Sequence, residues 1–493
     1  MNRKIWKALG IAVCMLALAA PRAMAELREY LVSNNEHFAD AVGRINNESN
    51  IGDENEIVLM HDITLEGNYI LTNGKTTTIK GEGKTITVNS GAGIKVTGGE
   101  TVLNLGAEGY AEKLTIDGNA KGAFITVSGG ATAHMYENVT LQDLDRQSTV
   151  NACVKLEGNS VFNMHGGVIQ NCKGKYGGVS LKNGSRFIME GGTISECSAN
   201  AGGGLYADNS TLTIKGGTIS ECSAGTGGGL YAINQSTLNI SGGTIENNRA
   251  AYGGGVALIG STINPITHWT VDGNKADNTG GGIYLENVLM DVSDGSNHIY
   301  NNTADGHGAD IFLYNGSSAI RLPNAADMNV PYHNSGINID GWYKDDNPRY
   351  KPSEDGKAVD AGVELNGGTP DGRGLSLVAS YKTKCTVTIN ANGGEGGSGS
   401  QTVQKGTNVT LEAPTKEGHL FKGWKDEKGN SYPAGEDGKV KITVTEDMTL
   451  TAEWKKLPSA ENLPKTGDES PVLLWGAALA VSAAACFMLR RRK

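Results

Sequence analysis

Cysteine is scarce in this chain of 493 residues: seven in all, at 14, 153, 172, 197, 222, 385 and 486. Cys14 and Cys486 lie in two apolar end segments. The five that remain are an odd number at wide spacings, which argues against a disulfide framework. No pair has the CxxC spacing of a zinc site. Aromatic residues are few, at 6%. Glycine is abundant, at 70 residues, yet no strict Gly-X-Y period exists, so the chain is not a collagen. An excess of basic charge is also missing. The net charge is −10, and the basic residues of the ends (Arg3, Lys4, Lys7 and Arg22; Arg490 to Lys493) hide a still more acidic middle. That balance argues against a nucleic-acid backbone or an anionic bilayer surface as partner.

What the chain does have is repetition. "GGTISECSA" runs from Gly191 to Ala199 and again from Gly216 to Ala224. Aligned on it, the middle of the chain falls into columns. One holds Ile169, Ile194, Ile219, Ile245, Val271 and Ile299, and another holds Phe162, Phe187, Leu212 and Leu238. A third holds Met164, Met189, Ile214 and Ile240, and a fourth holds Val179, Leu205, Leu230, Val256 and Ile283. Within each unit apolar and polar residues alternate, as in "TLTIK" and "TLNIS". Period two means strands, and the Gly pairs between them supply turns. Three short strands in about 25 residues, with like side chains at like positions, predict a parallel β-helix. One coil alone cannot bury its inward face, whereas stacked coils make a continuous interior.

A polar column runs alongside: Cys172, Cys197, Cys222, Asn248, Asn274 and Asn302. It reads as a ladder at an inward-facing turn. Asn amides bond along the stack, and Cys fills the same slot as a small packed thiol. Tyr206, Tyr231 and Tyr284 each follow an inward Leu or Ile and therefore point outward in one column, interrupted by Ala257. Tyr176 and Tyr252 stand just before glycine turns. Tyrosines stacked about 5 Å apart would offer a flat ligand-binding face; the alternative is packing that shields the sheet.

Residues 51–160 have the same texture and should form the first coils. "NNEHFADAVGRINN" before them predicts a short amphipathic helix with Phe38, Ala41, Val42 and Ile45 on one side. A helix there would cover the open end of the stack. Residues 30–330 resemble exported right-handed β-helix proteins of the pectate-lyase-like superfamily. "CTVTINANGGEGG", "HLFKGWKDEKG" and "TLTAEWKK" resemble the Listeria–Bacteroides β-repeat, a small β-grasp-like module of Gram-positive surface proteins, carried by Asn392-Gly393-Gly394, Phe421, Gly423-Trp424 and Leu450 to Trp454. That resemblance implies a spacer or protein-contact module.

The ends read as addresses. "MNRKIWK" is basic, "ALGIAVCMLALAA" is apolar, and Ala23-Met24-Ala25 before Glu26 offers a signal-peptidase site. Leu463-Pro464-Lys465-Thr466-Gly467 precedes an apolar run from Pro471 to Leu489 and a basic end, long enough to enter a bilayer transiently. This is similar at every defined position to an LPxTG cell-wall sorting signal. The resemblance implies that a sortase thiol attacks the Thr466 carbonyl, releases Gly467 onward, and passes Thr466 to an amine of the peptidoglycan precursor.

The superfamily includes enzymes that cleave acidic polysaccharides. Gly306-His307-Gly308 resembles the Gly-His-Gly of polygalacturonases, but His307 aligns with a turn glycine of neighbouring units. That family's paired Asp-Asp, Asn-Thr-Asp and Arg-x-Lys have no counterparts at matching positions. Asp345-Asp346 falls outside the coils. Glu196 and Glu221 stack without a basic residue in a shared column and read as a solvated face. No catalytic residue, metal ligand or cofactor is assigned.

The expected architecture is therefore all-β. It comprises a signal peptide (1–25), a capping helix (26–50), a right-handed parallel β-helix (51–330) and a last coil with linker (331–383). A β-repeat (384–456), a wall spacer (457–462) and the sorting signal with its transmembrane tail (463–493) follow. The expected function is a wall-anchored surface protein that binds an extracellular glycan or protein, on a host, in a matrix or on another cell. A wall-anchored lyase or glycoside hydrolase and a passive stalk are the alternatives.

Overall fold

A computed structural model describes residues 27–457 except 49, 51–52, 90, 119–122, 145–151, 294–295, 323–330, 333–336, 345–363, 367–374, 382–383, 405–406, 436 and 445. It divides after residue 382 into two compact units. The residues expected at a signal-cleavage site, Ala23, Ala25 and Glu26, those expected as a sorting motif, Leu463 to Gly467, and Asp345-Asp346 lie outside the described residues.

The first unit is a parallel β-solenoid. Each repeat contributes short strands, for instance Thr193–Ser195, Ser198–Ala199, Leu205–Asp208 and Thr211–Ile214. Each strand pairs in parallel with its counterpart one repeat later: Ile194 lies opposite Ile219, Leu205 opposite Leu230, and Leu212 opposite Leu238. The column Ile169, Ile194, Ile219, Ile245, Val271 and Ile299 is an unbroken series of such partners. All six are buried. Removing a side chain of that size from water contributes about 1.5–3 kcal/mol. Phe162 and Phe187 stack with ring centroids 5.8 Å apart.

Two corners explain the recurring small and polar residues. At one, Asp143, Asn171, Glu196, Glu221, Asn247, Gly273 and Asn301 all have left-handed backbone, with φ from 50° to 66°. The stacked glutamates are therefore a backbone corner as well as a surface. At the other corner stand the glycine triplets. A Cβ on Gly203 would lie 2.3 Å from the carbonyl oxygen of Gly228 in the next coil, and Gly202 has φ +63°. Only glycine fits both demands.

The first coil begins earlier than the sequence suggests. Leu27–Val32 pairs in parallel with Glu54–Leu59, so the first rung precedes the helix rather than following residue 51. The helix Asn35–Glu48 then buries Phe38, Ala41, Val42 and Ile45, the face read from periodicity. Asn34 caps it, its Oδ1 accepting the His37 N–H at 2.9 Å. Asn46 closes the adjacent sheet edge: its Oδ1 accepts the Thr72 N–H, and its Nδ2 donates to the Ile70 carbonyl at 2.6 Å. Edge groups that would otherwise await another strand are thereby met.

The other end closes by reversal. Leu375–Tyr381 runs antiparallel to Ile311–Leu313, and Glu364–Asn366 antiparallel to Ala319–Arg321. Residues 331–383 were expected as a last coil and linker; their described strands, including Ile337–Lys344 beside Leu375–Tyr381, pair antiparallel instead. Leu377 adds one last buried residue opposite Ile311, but a reversed strand offers no parallel template to a further coil, so the stack stops here.

The second unit is a small all-strand module in its described residues. Lys384–Asn390 sits beside Gly399–Gln404 and Met448–Lys456, and the sheet continues through His419–Asp426 to Ser431–Pro433. Trp424 is fully buried and Trp454 partly, both edge-on to Phe421 at 5.3 and 5.6 Å. These two indoles are the core expected from the sequence.

Candidate functional site

The polar ladder is present and longer than the sequence reading had it. The Asn248 Oδ1 accepts the Cys222 N–H at 2.9 Å, and Asn274 Oδ1 accepts both the N–H and the Nδ2 of Asn248 at 3.0 Å. Asn302 Oδ1 does the same for Asn274 at 2.9 Å. Each amide also donates to a carbonyl of the coil behind, as Asn274 to Ile245 at 2.9 Å. Buried donors are matched by an identical residue one rung on, so repetition satisfies them. Asp310, fully buried, receives the last Asn302 bonds. At the opposite end Cys153 joins Cys172, Cys197 and Cys222 in a row of buried free thiols. Cys172, Cys197 and Cys222 each donate to the carbonyl two residues back, at 3.2–3.3 Å. Burial pushes the thiols of Cys153, Cys172 and Cys222 up from the ordinary cysteine range. Cys153 and Asp310 lie off the strict repeat, which is why alignment did not collect them.

The tyrosine column also exists: Ser180, Tyr206, Tyr231, Ala257, Tyr284 and Phe312 are successive partners. It is not a bare flat face. Tyr206 is 5% and Tyr284 7% exposed. Tyr176, from the preceding turn, stacks on Tyr206 with centroids 4.0 Å apart. Lys182 reaches over both rings, at 4.6 and 5.7 Å, and donates to the Tyr176 hydroxyl at 3.1 Å. Tyr206 and Tyr231 meet edge to face at 5.9 Å. Burial raises the phenols of Tyr206 and Tyr284, with Asp208 and Glu286 adding to it. The exposed aromatic surface lies beside the column instead. Tyr252 is 43% and Tyr314 50% exposed, and both rings contact Tyr284, at 6.0 and 6.1 Å. Tyr314 escaped the sequence reading because it stands after a strand in the last coil, beyond the clear repeats.

His307 is placed differently from its alignment. A register shift between Ala250 and Tyr252 lets the later coils carry one more residue. Gly280 and Gly308, both left-handed, are the equivalent glycines, and His307 pairs with Thr279. It is thus a corner residue in the Tyr252 column and not a replaced glycine. Among the described residues, no group of three or more His, Cys, Asp or Glu is arranged around a common point. The second unit has an open cleft of about 430 Å³ lined by Asn392, Asp426, Glu427, Thr451 and Trp454 among others.

Residues 112–326 match the family model described as a right handed beta helix region. The solenoid is a right-handed β-helix of about 11 turns. Residues 385–458 match the model described as a divergent InlB B-repeat domain, over the span expected from its motifs to be one small β-repeat module. No curated protein and no solved structure matches the chain. A β-helix followed by a B-repeat fits a surface or binding protein.

Proposed function

We propose that this chain is an exported surface protein, joined to peptidoglycan through Thr466 by a sortase, whose β-helix presents an aromatic patch to an extracellular glycan. The observation that carries the binding role is the patch itself. Tyr252 and Tyr314 are exposed on either side of Tyr284, and Tyr284 is anchored by Glu286, which accepts its hydroxyl at 3.1 Å. Aromatic faces with a polar tip stack against the apolar side of a sugar ring and bond its hydroxyls. The sorting motif, the apolar tail and the basic end support the anchoring.

A glycan array probed with the full chain and with Tyr252→Ala/Tyr314→Ala tests the binding. Retention of a glycan by the wild type and its loss in the variant is expected. Release of reducing or unsaturated sugars from a polysaccharide by the wild type would replace binding with catalysis. For anchoring, Thr466→Ala should move the protein from the wall fraction to the membrane or medium.

A further inference from the structure

On the outer face of the first long sheet, a line of polar side chains crosses four coils. Tyr136, His165, Glu190 and Lys215 each follow the last residue of a strand, and those last residues, Met135, Met164, Met189 and Ile214, are successive partners. Lys215 Nζ donates to Glu190 Oε1 at 2.9 Å, and Glu190 Oε2 lies 2.7 Å from His165 Nδ1. His165 Nε2 is in turn 3.0 Å from Nδ1 of His134, which stands inside the first of these strands, Thr132–Met135. The two imidazole planes are 3° apart, with centroids separated by 5.3 Å. That separation exceeds the distance between the nitrogens by about one ring diameter. The rings therefore meet edge to edge in one plane, as a hydrogen-bonded pair. Tyr136 lies nearly parallel to both, 4.9 Å from His165 and 6.4 Å from His134. The Asn163 amide is 3.4 Å from the same His134 nitrogen.

We propose that Lys215, Glu190, His165 and His134 form a strap between coils that acid releases. Glu190 accepts the Nδ1–H of His165, which leaves Nε2 of that ring as an acceptor. His134 therefore donates from Nδ1 and keeps its own Nε2 bare. The first proton added from solvent goes to His134 Nε2 and leaves the shared bond intact, now with a charged donor. The second has no place except the line between the two facing nitrogens. Each nitrogen would then point an N–H at the other from 3.0 Å, with like charges behind them. The bond must part, and the two uptake steps belong to the pair rather than to either ring. Lys215, with His165, holds the Glu190 carboxyl below the usual carboxylate range, so it stays an anion and retains His165. His134 is the partner that leaves. Burial, with the His165 charge adding to it, holds His134 below the ordinary imidazole range. Glu108 and Glu137 flank Tyr136, whose phenol burial pushes up, so it stays neutral throughout. In the unfolded chain both imidazoles are free to protonate near about pH 6.5. The strap's stabilisation is thus complete above that value and is lost as pH falls toward the second uptake. The parting falls between Thr132–Met135 and Val161–Met164, where the His165 N–H donates to the Met135 carbonyl at 2.9 Å. The strap is independent of the tyrosine patch.

The test is amide hydrogen exchange of the full chain, read by mass spectrometry on peptides containing His165 and Gly166. It compares neutral pH with about pH 5, after correction for intrinsic rates. Exchange in the wild type should rise severalfold at the lower pH. His134→Gln cannot supply the second charge and should show no such rise. In Glu190→Gln the rise should move to lower pH, because the released His165 cation loses its anion. Circular dichroism at neutral pH verifies folding of both variants. A second readout needs no variant: nitrogen-15 resonances of the histidine-labelled full chain should place the proton on Nδ1 of both rings at neutral pH and show two separate uptake steps. Equal wild-type exchange at the two pH values, the same acid rise in His134→Gln, an unmoved rise in Glu190→Gln, or an Nε2–H on His165 at neutral pH would overturn the proposal.

Discussion

Asn302 directs both its backbone N–H and its side-chain amide at a single oxygen, Oδ1 of Asp310, at 2.9 and 2.8 Å. The two residues are eight apart and end the ladder within one coil. Asp310→Ala would leave the Asn302 N–H buried without that acceptor. A loss of about 1–3 kcal/mol is expected, whereas Asp310→Asn should keep most of the stability. Urea unfolding of the three proteins decides this; equal midpoints would mean that the ladder needs no terminus.

Within the ladder, Asn274→Ala should cost more, because Asn248 loses an acceptor for two donors and the Ile245 carbonyl loses a donor. About 1–3 kcal/mol for each unmet buried group is the expected scale. Asn274→Cys should fall between Asn and Ala, since cysteine already fills this slot in three coils. A Cys variant as damaging as Ala would show that the two residue types are not interchangeable here.

Glu196 and Glu221 sit at left-handed corners where neighbouring coils use Asn or Gly. A side chain with a Cβ and no local bond costs roughly 1–2 kcal/mol there, and Asn relieves part of it. Glu196→Asn should raise the unfolding free energy by about 0.5–1 kcal/mol. Thermal denaturation showing a lower midpoint would point instead to a stabilising role of the carboxylate.

His298 is held below the ordinary imidazole range by burial, with the His268 charge adding to it. The unfolded chain therefore takes up this proton at higher pH than the folded chain. The stability contributed by neutral His298 is complete above about pH 6.5 and is lost as pH falls from there toward the folded value. Melting temperature should drop over that interval, and His298→Gln should flatten the drop. Parallel curves for the two proteins would remove His298 as the cause.

The four ladder thiols are buried, and burial raises those of Cys153, Cys172 and Cys222, so the native chain should resist alkylation at Cys153, Cys172, Cys197 and Cys222. All four should react once urea unfolds it. Rapid labelling of Cys197 in the native chain, read by peptide mass, would show that the solenoid opens locally.

The inward columns were legible because strands of period two, repeated at nearly constant length, force each side chain over its equivalent. Ile194 over Ile219 needed no more than counting. The helix face from Phe38 to Ile45 followed from periodicity for the same reason. What counting missed comes from residues off the repeat. Tyr176 covers Tyr206 from a turn, and neither its stacking nor the reach of Lys182 is written in a column. The single added residue before Gly280 moved His307 one place, because a bulge changes length without changing composition. His134 and His165 meet diagonally across coils of irregular length, where no repeat could be aligned.

The helix at one end and the reversed strands at the other make the two termini of the stack unlike each other and unlike the middle. Any interior coil, by contrast, meets above and below a near copy of itself. Duplication or deletion of one unit such as 191–215 would therefore alter only reach, by about 4.8 Å per rung. Length becomes a heritable variable that selection could tune without rebuilding either lid.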